Sequence, residues 1–277
     1  MKFVDVTNDI AFRKIFGDEN RKEVLISFLN AVLCLKDDTI ILDVSIQQPF
    51  LFPDWNTGKV SILDLKAKDN TGKTYIIEMQ IAKVEGFDKR ILYYASKSYS
   101  SQISRGDEYE KLMPTFFIGI LDFVATENTN YISRHIVKDV ETGEHFIKDI
   151  EFNFIELPKF NKKQEELSSI IDQWVYFIKN AENIDVVPDN IADKGLKIAY
   201  QQADKHNWSV DELEAYDKIF IREQDDRGKV SFAHKEGIKE GIKEGKIETA
   251  KNLKNLGISI EVISQSTGLT KEEIENI

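Results

Sequence analysis

The sequence predicts an α/β layer fold, and three observations predict it. Apolar residues recur every three to four positions through the first forty residues, strand-like runs follow from Ile40 to Ile81, and a helical stretch then precedes a very apolar run, TFFIGILDFVA. The order α, α, β, β, β, α, β interleaves helices and strands, which is the pattern of a sheet covered by helices.

Each element has a local cause. In the first helix Ile10, Phe12, Ile15 and Phe16 form the apolar stripe, Thr7 or Asn8 can cap its start, and Gly17 can end it. Val24, Leu25, Phe28, Leu29 and Val32 make the stripe of the second, and Cys34, in the run FLNAVLCL, reads as core. TIILDVSIQQPFLF, KVSILDLKAKD and KTYIIEMQIA read as three strands, and a helix is expected over roughly residues 88 to 104. Tyr93, Tyr94 and Tyr99 lie on that helix, and packing on a sheet would bury two of the three. A shorter strand pair is expected around YISRHIVKD and HFIKDIEFNFIEL, followed by helices such as QEELSSIIDQWVYFIKN. AHKEGIKEGIKEGK repeats Glu-Gly every four residues; glycine in a helix costs about 0.5–1 kcal/mol relative to alanine. The stretch is therefore either a weak, solvated connector or a face for close helix packing, including a homo-oligomer formed through this C-terminal region. At the end, Gly257 closes one helix, Ser259 caps a second, and Thr270 with Glu273 forms a capping box for a third. That helix–turn–helix ends in KEEIENI, whose glutamates make it a poor reader of DNA.

Composition narrows the function classes. The 277 residues carry 42% apolar residues, enough for a sizeable core, and a net charge of −11, which argues against a protein that coats nucleic acid by long-range attraction. The deficit is concentrated in the second half. No apolar stretch is long enough to span a bilayer and MKFVDVTNDI has no signal-peptide core, so no membrane partner and a cytoplasmic location are expected. A single cysteine excludes an intramolecular disulfide or a cysteine metal cluster, and His135, His145, His206 and His234 are scattered.

The informative segment is residues 60 to 81. A three-residue loop of Asn70, Thr71 and Gly72 sets Asp69 opposite Lys73. In that register Asp64 faces Glu78 and Ile62 faces Gln80, on one side of the sheet, with Lys66 beside Asp64. Leu63, Leu65, Tyr75, Ile77, Met79 and Ile81 line the other side, while Val60, Ile62 and Ile76 border the acids. Two facing carboxylates among apolar neighbours need a shared proton, a cationic partner or a bound metal. A hard divalent cation is the solution that also does chemistry. A solvated hairpin, with Lys66 paired to Glu78 across a diagonal, is the structural alternative.

Asp64, thirteen residues, then Glu78-x-Gln80 resembles the active-site hairpin of PD-(D/E)XK nucleases, with Gln in place of the usual Lys. More closely, the chain resembles the recombination-promoting nuclease and transposase family of bacteria in NDIAFRKIFG followed by LISFLNAVL, the hairpin, RILYYASKSYSSQISRGDEY, LMPTFFIGILDF, and the Glu-Gly repeats before TGLTKEEIENI. No Pro-Asp pair precedes the acids. The resemblance implies a restriction-endonuclease-like core with a mixed central sheet flanked by helices over residues 1–160, a helical region packed on it over 161–225, and a helical C-terminal segment over 226–277. It implies DNA as substrate, Mg²⁺ or Mn²⁺ held by Asp64 and Glu78, and Gln80 positioning the water or the scissile phosphate. Asp9, or less directly Glu23, is the candidate for a further acid, although Asp9 also suits a helix start. Tyr94, Lys97 and Gln102 are candidates to face the phosphate backbone. The competing reading is a catalytically inactive relative that binds nucleic acid or mediates protein assembly.

Overall fold

In the computed structural model, which describes residues 2–47, 50–51, 61–188 and 191–277, the chain forms two compact units, residues 1–220 and 221–277. The first is built on a six-stranded mixed sheet. Its order is β1 (Val44–Gln47), β4 (Leu65–Asp69), β5 (Thr74–Gln80), β6 (Thr115–Leu121), β8 (Ile150–Glu156), β7 (Ile132–Ile136). The β5–β6 and β6–β8 pairs are parallel and the others antiparallel. A separate ladder pairs β2 (Phe50–Leu51) with β3 (Ser61–Ile62).

Period-two alternation divides the sheet's faces. Tyr75, Ile77, Met79, Ile118, Ile120 and Ile155 point into the main core, against α1 (Asp9–Phe16), α2 (Glu23–Val32), α4 (Ile170–Asn180) and α5 (Lys194–Ala203). Phe12, Phe16, Phe28 and Trp174 are fully buried there. Ile76, Phe117, Leu121 and Phe154 point the other way, onto Phe87 and Ile91 of α3 (Phe87–Ser100). Asn8 caps α1 as expected, its side chain accepting from the Ile10 and Ala11 N–H groups.

The hairpin has the register its loop predicts: Leu65 faces Ile77 and Lys68 faces Thr74, with Gly72 at φ +93°. Asp69 fixes the turn, its carboxylate accepting from the Thr71 and Lys73 N–H groups and from the Tyr75 hydroxyl. The expected single strand through Ile62 is corrected, because β3 and β4 separate at Leu63 and Asp64. Ile62 pairs with Phe50 rather than Gln80, and Leu63 packs with Ile76 and Phe87 instead of on the Leu65 side. Val60 lies outside the described residues.

Two burial expectations are also corrected. Cys34 is exposed, because α2 ends at Val32 and the chain turns outward through Cys34 at φ +53°. None of the three tyrosines of α3 is buried: the buried stripe is Phe87, Ile91, Ala95 and Ser98, which leaves Tyr93 45% exposed and Tyr94 and Tyr99 half-buried.

The Glu-Gly repeats lie in one continuous helix, α6 (Val210–Asn255). Within the second unit the end of α6 packs with α7 (Ile260–Thr267) and α8 (Lys271–Glu275) around Ala250, Ile263, Leu269 and Ile274. Gly257 is left-handed after α6 and Thr270 with Glu273 forms the capping box of α8, as read, while Ser259 stands at the start of α7 without a side-chain capping bond. Among the described residues no helix is long and apolar enough to cross a membrane.

Candidate active site

Asp64 stands one residue before β4, where the ladder to β5 stops. The antiparallel alternation that bonds Asp69 to Lys73 would carry the Met79 N–H to the carbonyl of Leu63. The Asp64 Oδ2 accepts that N–H instead, at 2.8 Å, and the Asp64 N–H donates to Glu78 Oε1 at 3.2 Å. Each carboxylate thus accepts a backbone N–H from the opposite strand, and the two acids are held side by side. This also explains the break between β3 and β4: a side chain has replaced a strand carbonyl as acceptor.

Both carboxyls are desolvated. Burial, with the Asp64 charge adding to it, pushes Glu78 up to about 8. Asp64 rises to about 6, mainly through burial and then through the Asp9 charge, against the lowering pull of the Met79 N–H and Arg13. Arg13 on α1 links the two outer members, with Nη2 at 3.4 Å from Asp64 Oδ1 and Nε at 2.9 Å from Asp9 Oδ1.

On the far side of Glu78 a second chain of contacts begins. The Gln80 Nε2 donates to Glu78 Oε2 at 3.1 Å and to the Met79 carbonyl at 2.9 Å, while its Oε1 accepts from Arg90 Nη2 on α3. The Arg90 guanidinium lies over the rings of Phe87 and Tyr94, at 5.8 and 6.0 Å, and its buried Nε has no hydrogen-bond partner. An unpaired buried N–H carries a desolvation cost, so the guanidinium is held here at some expense.

The remaining sequence candidates separate. Asp9 reaches Asp64 through Arg13 and through its charge. Lys66, opposite Ile76, makes no ion pair with Glu78 among the described residues; burial and the neighbouring Lys68 lower its pKa. Tyr94 borders the site beneath Arg90. Lys97 stacks on Tyr93, 5.5 Å from its ring, one turn further along α3. Gln102 lies beyond α3, both ends of its amide bonded to the Met113 backbone beside Thr115. Thr115 is four rungs from the Glu78 row, roughly 13 Å along the strand, so Gln102 holds a loop at the opposite end of the sheet. Glu23 is paired with Lys194 on the α2–α5 surface, away from the hairpin. Arg13 and Arg90 were not found by sequence reasoning. Their signal is the need itself: two buried acids require cations, and each arginine borders the apolar stripe of a helix that covers the hairpin.

Among the described residues no three His, Cys, Asp or Glu side chains cluster closely enough to hold a metal by themselves. Asp64 and Glu78 are a pair, and the Met79 carbonyl beside them is also an oxygen donor, whereas the Gln80 amide oxygen is turned to Arg90. That donor chemistry fits a hard divalent cation completed by other oxygen ligands, whose charge would add to the one that Arg13 brings to Asp64.

Neither a curated protein nor a solved structure matches the chain. A family model described as PD-(D/E)XK nuclease family transposase matches residues 6–233, from the start of α1 into α6 and across the whole sheet, so the chain belongs to that nuclease family.

Proposed function

We propose that this protein is a divalent-metal-dependent DNA endonuclease acting in recombination or mobile-element movement. The observation that carries the reading is the desolvated Asp64–Glu78 pair, held by reciprocal backbone hydrogen bonds at the end of the hairpin. A fold gains nothing in stability from two facing, buried acids, and pKa values pushed upward in this way mark candidate functional sites.

In this reading Asp64 and Glu78 hold Mg²⁺ or Mn²⁺, which supplies Lewis-acid stabilisation of the charge that builds on the phosphate. Gln80, fixed by Glu78 on one side and Arg90 on the other, orients the attacking water or the scissile group. The Arg90 guanidinium, held beside Gln80, brings positive charge to the phosphate and so does part of the work of the lysine that this hairpin lacks. Asp9 acts at one remove, by turning Arg13 toward Asp64.

Purified protein incubated with supercoiled and linear DNA should cut both with Mg²⁺ or Mn²⁺ and neither in EDTA. Asp64→Asn keeps an oxygen for the Met79 N–H but loses a charged ligand. It should fold normally and lose more activity than the roughly 10–100-fold that follows removal of a residue merely supporting a metal ligand. Full activity in that variant removes Asp64 from the mechanism.

One observation favours the second reading, a non-catalytic relative: Arg13 already occupies Asp64 as a counter-charge. Absence of Mg²⁺ or Mn²⁺ binding by calorimetry, together with no cutting, would select it.

A further inference from the structure

The face of the sheet that carries Glu78 and Gln80 also carries a cavity outside the site. Its volume is about 500 Å³, and Phe87, Ile91, Ala125, Thr126, His135 and Phe154 line it. A shallower recess of about 220 Å³ continues from it over Leu92 and Phe152. Register fixes its position: Glu78, Gly119, Phe154 and Ser133 form one row across four strands, so Phe154 stands two strands, roughly 10 Å, from Glu78. Between them Gly119 supplies no side chain, and the Phe154 ring fills its place so closely that a Cβ there would sit 2.9 Å from Phe154 Cδ1.

The link to the site is Phe87. One ring forms a wall of the cavity, packs against Phe123 at 5.4 Å and Phe154 at 6.4 Å, and carries the Arg90 guanidinium above it. A phosphate accepted by Arg90 would therefore have its own or the adjacent nucleotide within reach of the cavity. Aromatic rings and aliphatic side chains suit a flat π system. The rim is charged in the wrong sense for another phosphate, with Glu85 and Asp88 against Lys83 alone, and so favours an uncharged group.

We infer that this cavity takes an unpaired nucleobase of the DNA strand whose phosphate is at Arg90, which makes the protein selective for DNA with an unstacked base beside the cut. This rests on the nuclease reading and narrows its substrate class. Stacking on Phe87 and Phe154, with His135 closing the pocket edge-on to Phe154 at 5.2 Å, is indifferent to base identity and sensitive to whether a base is free.

Three labelled DNAs test it on the full chain: a paired duplex, the same duplex with one unpaired adenine, and the same with that adenine replaced by an abasic sugar. Fluorescence anisotropy in EDTA gives binding, and initial cutting rates with Mg²⁺ give turnover. The adenine-bulge DNA should exceed both others by about ten-fold or more, since stacking of one base is worth about 5- to 150-fold. Ala125→Trp fills the cavity and leaves the Ala125 N–H bonded to Glu156; it should erase the preference while duplex binding stays unchanged. His135→Ala should reduce the preference. The abasic comparison needs no variant, so it holds even if Ala125→Trp fails to fold. Equal binding and equal cutting of the three DNAs overturns the base pocket and leaves the nuclease reading standing. A chain that neither binds nor cuts any of them sinks both.

Discussion

Glu78 carries the larger share of the electrostatic strain at the hairpin, because it is buried and faces Asp64 as well. Its folded pKa of about 8 lies above its ordinary value of 4.5, so the metal-free native state binds the extra proton that the unfolded chain releases between these values. Stability from this group is complete below about pH 4.5 and is lost as pH rises toward 8. Asp64, raised to about 6, acts in the same direction over a narrower window. The melting temperature of the metal-free protein should therefore fall between pH 5 and pH 8, and Glu78→Gln, which cannot ionise, should flatten that slope. Mg²⁺ should raise the melting temperature more at pH 8 than at pH 5, since metal binding must displace those protons. A wild-type slope matched by Glu78→Gln would show that Glu78 is not the titrating group. At this scale the facing of Asp64 and Glu78 was legible from a three-residue loop and period-two alternation. The exchange of a strand carbonyl for the Asp64 carboxylate was not, because it depends on which acceptor the Met79 N–H meets in three dimensions. Arg13 and Arg90 were hidden for a related reason: Arg13 comes from a helix fifty-one residues before Asp64, and Arg90 reaches Gln80 only through the way α3 folds back on the sheet.

Among the elements, β6 is the one that ties the site to the rest of the sheet, and Gly119 is its critical position. A methyl group there would overlap the Phe154 ring, and Leu121 Cδ2 at 3.4 Å closes the other side. Gly119→Ala should cost about 1–3 kcal/mol, as overpacking a filled interior does. It should also lower cutting more than it lowers stability, because the displaced ring packs on Phe87, whose ring carries Arg90. Thermal unfolding measured alongside cutting rates separates the two effects; an unchanged melting temperature would mean that Phe154 moves freely. The elements themselves were largely readable. Strong periodicity marked α1 and α2, a continuous apolar run marked β6, and Thr270 with Glu273 marked the start of α8. Continuity was harder to read. Among the described residues the first expected strand starts only at Val44 and the second is broken at Leu63 and Asp64, since alternation shows which face a residue prefers and not where a ladder stops. The glycines of α6, read as either a weak connector or a face for close helix packing, lie in one unbroken helix.

For the whole molecule, the division into residues 1–220 and 221–277 decides how much chain the chemistry needs. Every residue of the proposed site precedes residue 91, but the first unit does not end where the sheet does. The opening turns of α6 belong to its core: the Tyr216 hydroxyl accepts the Asp5 N–H at 2.9 Å, the Tyr216 ring packs edge-on against Trp208 at 5.8 Å, and Glu212 pairs with Lys14. Trp208 and Tyr216 are both buried, and deleting a buried ring of that size costs about 3–5 kcal/mol. Losing both would consume most of the roughly 5–15 kcal/mol that keeps a domain folded. A chain ending at residue 207 should therefore fail to fold. A chain ending at residue 225 keeps these contacts and gives up only the second unit, whose small core around Ala250, Ile263, Leu269 and Ile274 is its own. It should melt within a few degrees of the full protein by circular dichroism and retain metal-dependent cutting. If it folds but neither binds Mg²⁺ nor cuts DNA, the C-terminal unit contributes directly to the site, and the proposed separation of chemistry from the tail is wrong.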